Sequence, residues 1–227
     1  MSCIIEFTGK PGSGKSHASM ALLNSTLILF PEKQVKALFS SEHAGSGRFM
    51  KIGVLCYTLS FHFTRFFSVY YQLAKALADS SKYRFISSFV NALYLDFRLR
   101  NALRKYDVVI LDQGFIQLCW ANLDQKNLER IKSVLIDLYS PYMRHRLVQV
   151  HVVASREIFE SGLQMRKDLI DGAGYRFKNL DNGLMKRLTE ATVDNNKFSA
   201  IEIFNDVDGE VDIVDVIASI NEYVHDK

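Results

Sequence analysis

The feature that most constrains this chain is Gly9-Lys10-Pro11-Gly12-Ser13-Gly14-Lys15-Ser16, which follows the short, mostly apolar run Ile4-Ile5-Glu6-Phe7. A glycine, four residues and then glycine-lysine-serine is the pattern of a loop that cradles phosphate. Gly9, Gly12 and Gly14 lack a Cβ, so the backbone can turn tightly and bring its N–H groups to an anionic oxygen. Lys15 is a mobile point charge that can reach the outer phosphates of a nucleotide. Ser16 supplies a hydroxyl for Mg²⁺. A helix beginning at about Gly14 adds its own unpaired N–H groups. A plain glycine- and serine-rich turn between strand and helix is the structural alternative, but this turn has every residue the pattern requires. Pro11, Ser13 and His17 complete the set expected around the phosphates. His17 either faces the nucleotide or lies on the helix surface.

Such a loop needs a strand before it and a helix after it, and the rest of the chain supplies more of both. His17 to Phe30 has helical apolar spacing through Met20, Leu22, Leu23 and Leu27, and Pro31 is a stop. Glu32 to Phe39 reads as a second strand or a helical turn, and Ser40 to Lys51 as a loop. Ile52 to Ser60 is a strand or the start of a long helix, whereas Phe61 to Ala78 and Phe85 to Lys105 read as helices. Val108-Val109-Ile110-Leu111-Asp112 has the unbroken apolar run of a buried parallel strand. A helix over Asp124 to Tyr139 and a strand over Leu147 to Val153 follow. The polar, glycine-containing segment Ser155 to Phe177 suits a flap, Leu180 to Val193 a helix, Ile201 to Phe204 a short strand and Val211 to Val224 a last helix. Alternation of this kind predicts a parallel sheet covered on both faces. The expected organisation is one domain over residues 1–227, with a helical elaboration at about 51–105 and a lid at about 155–177.

Composition narrows the class. With 48% hydrophobic residues, including 16 Phe and 10 Tyr, the chain can fill a bulky core. Its 28 basic and 25 acidic residues leave +3, too close to neutral to argue for nucleic acid. Cys3, Cys56 and Cys119 have no short paired spacing, so neither a zinc site nor a disulfide framework is expected. The longest apolar stretch, Ile52 to Phe63, is too short to span hydrocarbon. No secretory segment is read at the start, so a cytoplasmic location is expected.

Asp112 is the second fixed point. A carboxylate at the end of a buried parallel strand lies where such sheets present ligand-binding groups. There it can hold Mg²⁺ with Ser16, or accept the proton of an acceptor hydroxyl. Capping the next turn is its structural alternative, and Gln113 orients water or substrate or serves the same turn. Arg156, Arg166 and Arg176 lie in the flap or at its start. Guanidinium groups there can meet the charge spread over a transferred phosphoryl group, with Arg166 the first choice, then Arg156. A solvated basic flap is the alternative. His43, His62 and His151 form no metal-ligand spacing, His151 reads as structural, and His145 is not assigned to phosphate.

With these residues in order, the chain resembles the nucleoside and nucleoside-monophosphate kinase group of P-loop NTPases. The likeness runs over nearly the whole chain, but only Gly9 to Ser16 is a specific motif. Asp112-Gln113 look like that group's acidic position beside the loop, although several relatives carry arginine after the aspartate. Arg156 to Arg166 look like its arginine-bearing lid, and Ile203 to Asp206 occupy the place of its last strand and adenine-bordering loop. The resemblance therefore implies a P-loop fold with a five-stranded parallel sheet of order 2-3-1-4-5. It also implies ATP and Mg²⁺ as cofactors, Asn205 near the nucleotide, and phosphoryl transfer to a small acceptor such as a nucleoside or nucleotide. A homodimer is compatible with it. The rival expectation is a P-loop ATPase or nucleotide switch that works with a macromolecular partner.

Overall fold

Five segments, Cys3–Thr8 (β1), Val35–Leu38 (β2), Val108–Leu111 (β3), Arg146–Ala154 (β4) and Phe198–Asn205 (β5), pair in parallel as a single sheet. Their spatial order is β2-β3-β1-β4-β5, as the resemblance implied. The computed structural model describes residues 2–10, 12–39, 53, 56–57, 82–120, 128–155, 198–205 and 213–225. The expected loop at 40–51, the helices at 61–78 and 180–193, and the lid beyond Ser155 lie outside the described residues.

The strands are apolar on both sides because helices cover both faces. Along β1, Ile4 packs into one cluster, while Cys3, Ile5 and Phe7 pack into the other. In β3, Val109 and Leu111 share the side of Ile4, whereas Val108 and Ile110 take the opposite side. This period of two is the pleat of a strand, and it assigns each helix to a face. On one face lie α1 (Lys15–Leu29) and α5 (Val214–His225), which contribute Ala18, Leu22, Val216 and Ile220. On the other lie α2 (Lys82–Leu103), α3 (Phe115–Trp120) and α4 (Leu128–Tyr139), followed by the short 3₁₀ turn Ser140–Tyr142. Leu93, Leu99, Phe115, Ile131 and Leu135 fill that side.

Several open readings are decided here. The ambiguous segment around Val35 is a strand, hydrogen-bonded beside β3 from Val35↔Val108 to Leu38↔Leu111. The described members of the next ambiguous segment, Gly53, Cys56 and Tyr57, are helical, and the Tyr57 ring meets Phe97 of α2 edge-on at 5.7 Å. Helix α1 ends where Phe30 N–H still bonds to Thr26 O at 2.9 Å, just before Pro31, whose ring disfavours helical backbone in the residue before it. The last strand runs four residues longer than its apolar core, from Phe198 to Asn205. Pairing with β4 from Leu147↔Phe198 to Ala154↔Asn205 explains that length. No described helix is long and apolar enough to cross a membrane.

Candidate functional site

Because every strand points the same way, the loops leaving β1, β3, β4 and β5 emerge at one edge of the sheet. The phosphate-loop sequence leaves the central strand there. Gly9, Gly12 and Gly14 all have positive φ, 149°, 89° and 87°. Gly14 is the left-handed residue that opens α1, and a Cβ there would collide with the Asn205 side-chain amide as well as strain the backbone.

Lys15, only 6% exposed, folds its ammonium back over the loop and donates to the carbonyls of Gly9 and Lys10, both at 2.8 Å. Ser16 and His17 follow on the exposed side of the first turn of α1. Ser13 is buried, and its hydroxyl oxygen has no hydrogen-bond partner among the described residues. That hydroxyl is a buried donor set inside a loop of backbone N–H groups. Pro11 lies outside the described residues.

Asp112 follows β3 and is 2% exposed. Since Ile110 belongs to the α1 face, the pleat returns Asp112 to that same side. Ser16 Oγ duly donates to Asp112 Oδ2 at 3.4 Å, across 96 residues of sequence. Lys15, Ser16 and Asp112 therefore converge, as the motif and the strand pattern predicted. His17 is exposed, one residue further along the helix. Arg156, Arg166 and Arg176 lie outside the described residues, although β4 brings Ser155 to this edge, where its N–H bonds to Asn205 O at 3.2 Å.

Asn205 ends β5 beside the loop. Its side-chain amide donates to Ser13 O at 3.0 Å in a buried contact, so it braces the loop from β5. His151, at the end of β4, has Nδ1 3.3 Å from Thr8 Oγ1, as a hydrogen-bonded structural histidine should. Its pKa is lowered, first by burial, with Lys15 and Lys10 adding to the effect against Glu202. His145 lies before β4, at the opposite end of the strands. Its Nδ1 accepts from Ser2 N–H at 3.2 Å, and burial helped by the Arg144 charge lowers its pKa to about 4. It is neutral at pH 7 and lies away from the edge where Lys15, Ser16 and Asp112 meet.

Glu6 is the group that sequence reading missed, because it sits inside an apolar run and was read as part of it. It is fully buried, on the face of α2, α3 and α4. One carboxylate oxygen accepts Ile116 N–H at 2.9 Å, and the other is in contact with Tyr139 OH. Burial raises its pKa to about 7, against the pull of these donors and of the Phe115 and Gln117 amides. A second residue without a sequence signal is Gln117 of α3, whose Oε1 accepts Gly9 N–H at 3.2 Å. A charged residue in a strand and an amide on a helix are both common, and only the fold reveals what they touch.

No family model matches the sequence, and no curated protein does either. Among solved structures, the chain is similar to a deoxyadenosine kinase from M. mycoides with bound dCTP, at 14% identity, with a TM-score of 0.45, over 99% of this chain and 100% of that one. The same kinase with the products dCMP and a flexible dCDP is similar at 15% identity and a TM-score of 0.43, over 98% of both chains. A likeness this distant carries no argument about activity. The architecture, a five-stranded parallel sheet with helices on both faces, rests instead on the strand pairing described above.

Proposed function

We propose that the protein transfers the γ-phosphoryl group of ATP, with Mg²⁺, to a small acceptor of the nucleoside or nucleotide kind. The observation that carries this reading is the convergence of Lys15, Ser16 and Asp112 at the loop that ends the central strand. Phosphoryl transfer needs little covalent help from a protein. It needs the phosphates held in place and their charge met, and this edge offers groups for both.

The loop N–H groups and the start of α1 favour the triphosphate, and Ser13 Oγ is a further donor aimed within the loop. Lys15 exchanges its two carbonyl partners for the outer phosphate oxygens, a gain because the new acceptors are charged. Mg²⁺ commonly takes only one or two protein oxygens and fills its shell with water and phosphate. Ser16 Oγ and the Asp112 carboxylate fit that requirement. No group of three or more His, Cys, Asp or Glu residues gathers among the described residues, so an all-protein cage is not the mode proposed. When bound, the ion neutralises charge on the phosphates. Asp112 is also the carboxylate proposed to accept the proton of the acceptor hydroxyl. Arg166, and after it Arg156, are proposed as the lid groups that meet the transferred phosphoryl, on sequence grounds. The acceptor is proposed to lie near Asp112, against the elaboration at about 51–105.

The test is a transfer screen with ATP and Mg²⁺ against nucleosides, monophosphates, sugars and small alcohols, following ADP and phosphorylated product together. Acceptor-dependent ADP formation is expected. Lys15→Ala should lower turnover by on the order of 100-fold or more, in line with the loss of one fixed charge-stabilising group. ADP formation that is indifferent to every acceptor and releases only phosphate would instead support an ATPase or nucleotide switch with a macromolecular partner.

A further inference from the structure

The described part of helix α3 is Phe115–Trp120, and Glu6 of the central strand reaches its first turn. The carboxylate accepts Ile116 N–H at 2.9 Å in a buried contact, while Tyr139 of α4 closes on its other oxygen. Gly114 lets the helix start this low, since any Cβ there would occupy the space of the Glu6 carboxylate. Ring contacts add to the clamp: Phe115 lies edge-on to Tyr139 at 5.5 Å and stacked over Tyr142 at 6.2 Å.

The helix so fixed begins three residues after Asp112 and carries Gln117, whose Oε1 accepts Gly9 N–H across 108 residues. Gly9 is where β1 ends and the loop turns away. Its N–H points at Gln117, and the chain leaves β1 in the direction this bond sets. Gln117 is 8% exposed and Gly9 has a positive φ, so the bond is both sheltered and placed on a residue with freedom to choose another conformation. The start of one helix thus touches both halves of the site, the Asp112 turn through the chain and the Gly9 loop through an amide.

We propose that Gln117, held in place by Glu6, is a positioning residue that sets the entrance of the phosphate loop against the Asp112 turn. The functional part of this proposal rests on the reading that the loop receives a triphosphate. The brace itself does not depend on that reading, which allows the two to be tested apart.

The experiment uses the full chain with Gln117→Met, which keeps the length of the side chain but removes its acceptor, and Glu6→Gln, which keeps an acceptor for Ile116. Amide exchange at Gly9 is measured by NMR, and affinity by a fluorescent ATP analogue with Mg²⁺. Gln117→Met is expected to speed Gly9 exchange at least tenfold and weaken the analogue by about tenfold, the scale of one buried hydrogen bond. Its melting midpoint should stay within a few degrees of the parent. Glu6→Gln is expected to keep both values near the parent. Unchanged Gly9 exchange in folded Gln117→Met would overturn the brace, and unchanged Gly9 exchange in folded Glu6→Leu, which leaves Ile116 N–H without this acceptor, would overturn the part given to Glu6. If the parent protein binds no analogue, the phosphate-transfer reading fails, and Gly9 exchange alone then decides the brace.

Discussion

The two faces of the sheet handle polarity in opposite ways. Under α1 and α5 the interior is apolar from Cys3 to Val152, and the buried charged groups Lys15 and Asp112 stand at the carboxyl edge. Under α2, α3 and α4 charged groups go into the interior. Glu6 meets Tyr139 and the start of α3, and Asp96 receives Tyr142 OH at 2.5 Å and the Arg100 guanidinium at 2.9 Å. The first face keeps its charged groups at the carboxyl edge of the sheet. The second uses them to fix the relative positions of helices. Apolar packing is non-directional and tolerates small slips, whereas a buried carboxylate is costly unless each donor is in place. The helix that carries the Asp112 turn is on the second face.

This contrast can be attacked on each side. The largest stability loss is expected from Phe7→Ala on the apolar face, about 3–5 kcal/mol by chemical denaturation, and it should be the same at pH 5 and pH 8. A strongly pH-dependent loss there would erase the distinction.

Glu6 should give the next effect, and in pH rather than in packing. Its folded pKa of about 7 stands above the ordinary 4.5, so between these values the folded chain keeps a proton that the unfolded chain has released. Its contribution is full below about pH 4.5, falls as pH rises to about 7 and is flat above, a change on the order of 3 kcal/mol. Denaturation of Glu6→Gln across that range should show the fall removed; an undiminished slope would assign it to another group.

Tyr142→Phe should have the smallest effect, about 1–2 kcal/mol, because Asp96 loses one donor and keeps Arg100. A melting curve indistinguishable from the parent would show that the second face depends on Glu6 alone for its polar order.

Much of this architecture was legible in the chain because it rests on local chemistry. Gly9 to Ser16 announce a strand, a turn and a helix, and Val108 to Asp112 announce a buried strand ending in a carboxylate. Their periods of two and 3.6 are properties of the backbone, so they need no knowledge of distant residues. Val35 to Leu38 is harder to read, since four residues are too few for either period to declare itself. Asn205 is expected near the nucleotide from the resemblance, and the structure adds a contact that no local pattern shows, the donation of its amide to Ser13 O.

By itself the sequence determined that a glycine-rich turn leads from a strand into the helix that begins at Lys15, and that a carboxylate ends another strand of the same kind. Only the tertiary structure decided that the two strands are neighbours, with Glu6 at the level of Leu111, and that Ser16 consequently meets Asp112. It alone also decided the partners of Glu6 and Gln117, which lie 110 and 108 residues away. The physical reason is that periodicity records which face a residue takes, whereas a hydrogen bond between distant segments depends on the order in which strands pair, and no local pattern encodes that order.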